Sequence, residues 1–172
     1  MPSPPAKPPP PPPPSLTSLL ETLVEAGVEL ILVGGLAAVA QGAPIATFDV
    51  DVVHRRTPDN LERLNGFLDR VHARYRGRKS SPIPIDRAAL AGPGHSLFST
   101  DLGPLDVLGT VGLGLDYDAL LSDTVEIELG GGRLKILSLA AIVRQKRASQ
   151  DPKDRLALPV LEETLRRSGG DV

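Results

Sequence analysis

Residues 31–53, ILVGGLAAVAQGAPIATFDVDVV, constrain this chain more than any other segment. The apolar run 30–33 has the composition of a buried strand and ends in the adjacent glycines Gly34 and Gly35. An Ala-rich helical segment follows, then a turn at Gly42 and Pro44. A second apolar strand then carries Asp49 and Asp51. Strand side chains alternate between faces, so these two carboxylates point the same way. Side by side they repel and raise each other's pKa unless a cation lies between them. An oxygen-only pair on a rigid strand beside a glycine turn suits Mg²⁺ and a phosphate-bearing ligand. Gly34 and Gly35 admit backbone close to phosphate, and the helix start beyond them offers free N–H groups. The same glycines would equally serve an ordinary strand–helix turn.

Two other phosphate chemistries fit poorly. The run VGGLAAVA lacks G-x-G-x-x-G, and no acidic strand end follows at the distance a dinucleotide fold requires. A phosphatase that forms an aspartyl-phosphate also uses Asp-x-Asp after a strand. Here the motif comes second, after a Gly-Gly turn.

Strand, glycine pair, spacer and Asp-x-Asp together resemble the nucleotidyltransferase superfamily of the DNA polymerase β type. Thirteen residues, 36–48, separate Gly35 from Asp49. Pro104-Leu105-Asp106-Val107-Leu108 is similar to that family's third-carboxylate strand. From Val125 through Ile136-Leu137-Ser138-Leu139 to Lys146-Arg147 and Pro152-Lys153-Asp154, the chain resembles the C-terminal part of small single-domain bacterial members. Several of those are toxin or antitoxin components related to abortive-infection systems. The resemblance spans residues 16–165.

It implies Mg²⁺- or Mn²⁺-dependent transfer of a nucleoside monophosphate from ATP or another NTP to a hydroxyl acceptor. RNA, such as a tRNA 3′ end, is the first acceptor it points to, with a hydroxyl of a partner protein or of a small molecule left open beside it. By the same resemblance, Asp49 and Asp51 bridge two metal ions, and Asp106 holds the catalytic one and helps deprotonate the acceptor. Asp106 lies between Leu105 and Val107, and an acid in such surroundings needs a partner. Gly34, Gly35, Thr47, Lys146 and Lys153 fall on the nucleotide-binding side. The bland alternative leaves the three acids on solvent-facing strand edges. Three positions depart from the family pattern: Ile45 replaces an Arg, Gln41 a His and Ala140 an acid. They motivate a competing expectation, a catalytically weak binding protein that acts as antitoxin or scaffold with a cognate partner chain.

Composition sets the frame. Ten of the first fourteen residues are proline, so residues 1–14 read as a solvated, disordered polyproline tail, or else a docking site for a proline-reading partner, and residues 15–172 as the folded domain. No signal-peptide pattern and no apolar run approaching about 18 residues is present, which makes a soluble cytoplasmic protein the expectation. The net charge of −2 gives no global pull toward nucleic acid. Arg70, Arg74, Arg76, Arg78 and Lys79 cluster, as do Arg144, Lys146, Arg147, Lys153 and Arg155. Each group either faces a polyanion or is a solvated surface. His54, His72 and His95 lack metal-ligand spacing and read as structural or solvent-facing.

Leu16, Leu19, Leu20, Leu23 and Val24 predict a helix capped by Ser15, and Thr57-Pro58 starts a second with a stripe at Leu61, Leu64, Leu68 and Val71. Residues 79–94 read as a loop with at most a short strand near 83–85. Hairpins are expected at 97–108 and 125–137, and a helical turn at 117–121. Ser138 caps a helix to about Ala148, and a last helix starts at Pro152 or is kinked or restarted at Pro159. Strands and helices without strict βαβ repetition make an α+β fold, a short mixed sheet with helices packed mainly on one side.

Overall fold

A computed structural model describes residues 15–77 and 83–170; the proline-rich tail, Arg78 and Lys79 lie outside them. Ser15 caps α1 (Leu16–Glu25), its hydroxyl accepting from the Ser18 amide, and the helix buries Leu19, Leu20 and Leu23. Strand β1 (Leu30–Val33) leads into α2 (Gly34–Ala40), and β2 (Val50–His54) follows. After α3 (Pro58–Arg70) and the two-residue β3 (Arg74–Tyr75) come β4 (His95–Thr100) and β5 (Gly103–Leu108). The chain closes with α4 (Tyr117–Leu120), the hairpin β6 (Thr124–Leu129) and β7 (Gly132–Leu137), α5 (Leu139–Ala148) and α6 (Pro152–Arg167).

The strands form one mixed sheet in the order β3-β4-β5-β2-β1-β7-β6. β2 runs antiparallel to β1 and parallel to β5, and β1 runs parallel to β7. The α+β expectation holds. All four residues of β1 are buried. Because its side chains alternate, both faces of the sheet are covered at its centre.

Two local expectations change, in α3 and α6, and the expected loop before β4 keeps its plainer form, without a strand. In α3 the buried side chains are Asn60, Leu64, Phe67 and Leu68, while Leu61 is only partly buried. Asn60 turns inward because its amide closes backbone ends: Oδ1 accepts from Glu29 N (2.7 Å), and Nδ2 donates to Glu29 O (2.9 Å) and Arg55 O (2.7 Å). No strand forms at residues 83–85; Pro84 has no N–H to give a ladder, and Leu90 anchors the loop from a single 3₁₀ turn, Ala89–Ala91. Helix α6 starts at Pro152, capped by Asp151, and continues through Pro159 to Arg167. Pro159 is exposed, so water can satisfy the carbonyl that its missing N–H leaves free.

Gln41 shows what one departure from the family pattern does. Its Nε2 donates to Ala37 O (2.8 Å) and Leu137 O (2.9 Å), and its Oε1 accepts from Leu139 N (2.8 Å). One side chain thereby clasps the end of α2 to the β7–α5 junction. Ile45 and Ala140, the other two departures, pack against the core. Replacing Gln41 by Ala strands the carbonyl of Leu137 and the amide of the buried Leu139. The expected cost is about 2 kcal/mol, read as a lower urea midpoint with unchanged slope.

Candidate active site

The carboxylates meet because of strand register. Asp51 lies opposite Val33 on β1 and opposite Asp106 on β5, and residues paired across neighbouring strands share a face. Asp49, just before β2, joins them by the two-residue period. One carboxylate oxygen from each of Asp49, Asp51 and Asp106 lies within 4.8 Å of the other two. All three residues are half-buried, which sets aside the picture of acids on solvent-facing edges. The donor set is all oxygen, on rigid strands, and fits a hard divalent cation such as Mg²⁺ or Mn²⁺.

Electrostatics agree with the geometry. Burial pushes the Asp51 carboxyl up to about 7, and the charges of Asp49 and Asp106 add to the shift. Burial likewise raises Asp106, opposed by the neighbouring Arg76 guanidinium. Without a cation, the cluster cannot hold its full negative charge cheaply.

Gly34 is fixed by two constraints. Its φ is +67°, and a Cβ there would sit 2.4 Å from Asp51 Oδ2. Any side chain would therefore displace the central carboxylate. A Cβ at Gly35 would lie 3.0 Å from Thr47 Oγ1, and the Thr47 hydroxyl donates to Asp49 O at 3.4 Å. Gly34, Gly35, Thr47 and the acids thus form one continuous surface.

A cleft of about 530 Å³ opens beside it, lined by Gly34, Leu113, Ile142, Arg144, Lys146 and Asp154 among others. Lys146 faces this cleft, its ammonium hydrogen-bonded to Asp154, and its charge reaches Asp51. Lys153 does not line the cleft. It is exposed on the first turn of α6, where its amide donates to the Asp151 cap. The histidines sit as expected. His54 is buried between the carbonyls of Leu108 (3.0 Å) and Leu90 (2.7 Å), His72 pairs with Asp101, and His95 is exposed.

Arg76 is a site residue that the sequence marked only as one member of a basic cluster, not as a partner of the acids. Its guanidinium lies 2.5 Å from Asp106 Oδ1 and 3.2 Å from Phe98 O. Beyond that cluster, the one signal for its direction was its two-residue spacing from Arg74, which in extended chain puts both arginines on one side. A two-residue polar strand carries no hydrophobic pattern to reveal that face.

The raised Asp51 carboxyl has a definite pH consequence. In the fold Asp51 keeps its proton to about pH 7, whereas unfolded it loses it near 3.8. Its contribution to stability is therefore full below pH 3.8 and is lost as pH rises toward 7. Asp154 and Glu163 are shifted the opposite way, so the informative quantity is the difference between wild type and Asp51→Asn. In metal-free buffer, melting of the wild type should fall relative to the variant as pH rises from 4 to 7. Millimolar Mn²⁺ at pH 7.5 should raise the wild-type melting temperature by several degrees and leave the variant nearly unmoved. Parallel melting curves with and without metal would show that the acids do not converge on a cation.

No family model matches the chain, and no curated protein matches its sequence. Solved structures do. The lincosamide antibiotic adenylyltransferase LnuA, bound to lincomycin, superposes with a TM-score of 0.58 at 12% identity, over 87% of this chain and 95% of that one. ANT(2″)-Ia in complex with adenylyl-2″-tobramycin gives 0.52 at 13%, over 88% and 87%. An antigenic nucleotidyltransferase-like protein from Paracoccidioides brasiliensis gives 0.53 at 17%, over 88% and 74%. At these identities the likeness is one of architecture, and the chain has the nucleotidyltransferase fold.

Proposed function

We propose that this protein is a metal-dependent nucleotidyltransferase that moves a nucleoside monophosphate from an NTP to a hydroxyl acceptor. The observation that carries the reading is the convergence of Asp49, Asp51 and Asp106 beside the Gly34–Gly35 turn. Asp49, Asp51 and Asp106 would hold Mg²⁺ or Mn²⁺, which supplies charge neutralisation at the attacking, bridging and leaving oxygens. Gly35 and Thr47 offer a close backbone and hydroxyl surface for the triphosphate. Lys146 reaches the same cleft, while Lys153 would need to act from its rim. In the reaction the acceptor oxygen bonds to the α-phosphorus and the bond from that phosphorus to the bridging oxygen breaks. Pyrophosphate leaves, and the acceptor's proton passes to the Asp106 carboxylate.

For the acceptor we favour RNA, a tRNA 3′ end in particular. Leu97 stands across from Asp106, and Ser99, two residues on, stands across from Arg74. Arg74 and Arg76 therefore share the open sheet face that carries the third carboxylate, and Leu97 on that face is 42% exposed. A basic sheet face beside the reacting end suits a phosphodiester chain. An NTP donor suits a cytoplasmic setting, and no helix among the described residues is long and apolar enough to cross a membrane. A second reading takes a small-molecule hydroxyl. Its support is that LnuA binds lincomycin and ANT(2″)-Ia binds adenylyl-2″-tobramycin, in structures that this chain matches over nearly their whole length.

Incubation with each α-labelled NTP and Mg²⁺, with total RNA in one arm and lincosamide or aminoglycoside in the other, should label one acceptor class. Asp49→Ala should cut the product by about 10²–10³-fold or more, the scale of losing one preorganised electrostatic group. Absence of label in every arm would defeat the enzymatic reading. It would favour instead an antitoxin or scaffold, whose capture of a partner chain survives Asp49→Ala and Asp51→Ala.

A further inference from the structure

Three cations bordering the site are engaged by acids. Lys146 is held by Asp154, Arg144 by Asp123 at 2.7 Å, and Arg76 by Asp106 at 2.5 Å. The last pair differs from the others because its acid belongs to the carboxylate cluster itself. Among the described residues, no other basic side chain forms an ion pair with Asp49, Asp51 or Asp106.

Arg76 is delivered there by backbone. Its amide donates to Leu97 O at 2.8 Å, and the Tyr75 ring stacks on Phe98 with centroids 5.1 Å apart, fastening β3 to β4. The Phe98 carbonyl then takes a second guanidinium hydrogen bond. The Asp106 side chain is only 13% exposed, so its charge is poorly screened by water and the guanidinium is its principal neutraliser. Asp106 itself is placed by the register of β5 on β2, which does not involve Arg76.

We propose that Arg76 is the resident counter-ion of the carboxylate cluster: it neutralises Asp106 in the metal-free protein, opposes entry of the divalent cation, and must be released from Asp106 when that cation binds. Arg76 is thus a positioning residue that sets metal affinity. A neighbouring positive charge weakens binding of a second cation to the same carboxylate, and its release frees a guanidinium on the acceptor face. This inference rests on the reading of Asp49, Asp51 and Asp106 as a metal site, and it predicts a direction opposite to that for a ligand-orienting residue.

Mn²⁺ binding to the full chain, followed by electron paramagnetic resonance, tests it. Arg76→Gln should bind Mn²⁺ about tenfold more tightly than wild type, the scale of losing one hydrogen bond to a charged group. Arg76→Lys, which keeps the charge, should stay near wild type. In the wild type, the Arg76 Nε–Hε resonance, identified by its loss in Arg76→Lys, should shift as Mg²⁺ is added. Equal or weaker Mn²⁺ binding by Arg76→Gln, or an Nε–Hε resonance unmoved by saturating Mg²⁺, overturns the proposal while leaving the metal site intact. Failure of the wild type to bind Mn²⁺ overturns the proposal and the enzymatic reading together.

Discussion

The pairing of β2 with both of its neighbours governs everything else in this molecule. One register sets Asp51 against Val33, so that the chain leaving β1 must pass the carboxylate with no side chain at Gly34. The other sets Asp51 against Asp106. A slip of one residue in either pairing would send Asp51 to the opposite face and dissolve the site. Val50 and Val52 are buried on the face opposite Asp51, so such a slip would drive the carboxylate into the core.

Concentrating three acids at the sheet centre works against stability, and the surroundings offset part of the cost. Arg76 lies against Asp106, and Lys146 lowers the Asp51 shift from across the cleft. Peripheral ion pairs such as Arg167–Glu163 are exposed and contribute little. The pairs at the cleft are more enclosed and matter more, because displaced water no longer screens them. The negative charge is only partly offset, and an incoming divalent cation and a triphosphate would exchange partners with groups already present.

Much of the site was legible in the sequence. Ser15 and Ser138 announced helices by their capping chemistry, and both hairpins followed from alternation around turn residues. Residues whose partners lie far along the chain were harder to read. Asn60 stands outside the apolar stripe of its helix, yet its side chain closes the backbone ends of β1 and β2. Gln41 looked like a departure from a binding pattern and proved to be a clasp between α2 and α5. Lys153 shared a motif with its neighbour Asp154, yet a helix turns 100° per residue, and Asp154 is the one that lines the cleft.

The sequence by itself determined the strand, glycine pair and Asp-x-Asp, because periodicity two and the freedom of glycine are local properties of the backbone. It also marked Asp106 as an acid in need of a partner. Only the tertiary structure decided what that partner is. Arg76 lies thirty positions away, one residue past the two-residue β3, and its guanidinium reaches Asp106 because β3 pairs with β4 and β4 with β5. Such long-range pairing is set by global packing of the core, which no local window of residues encodes.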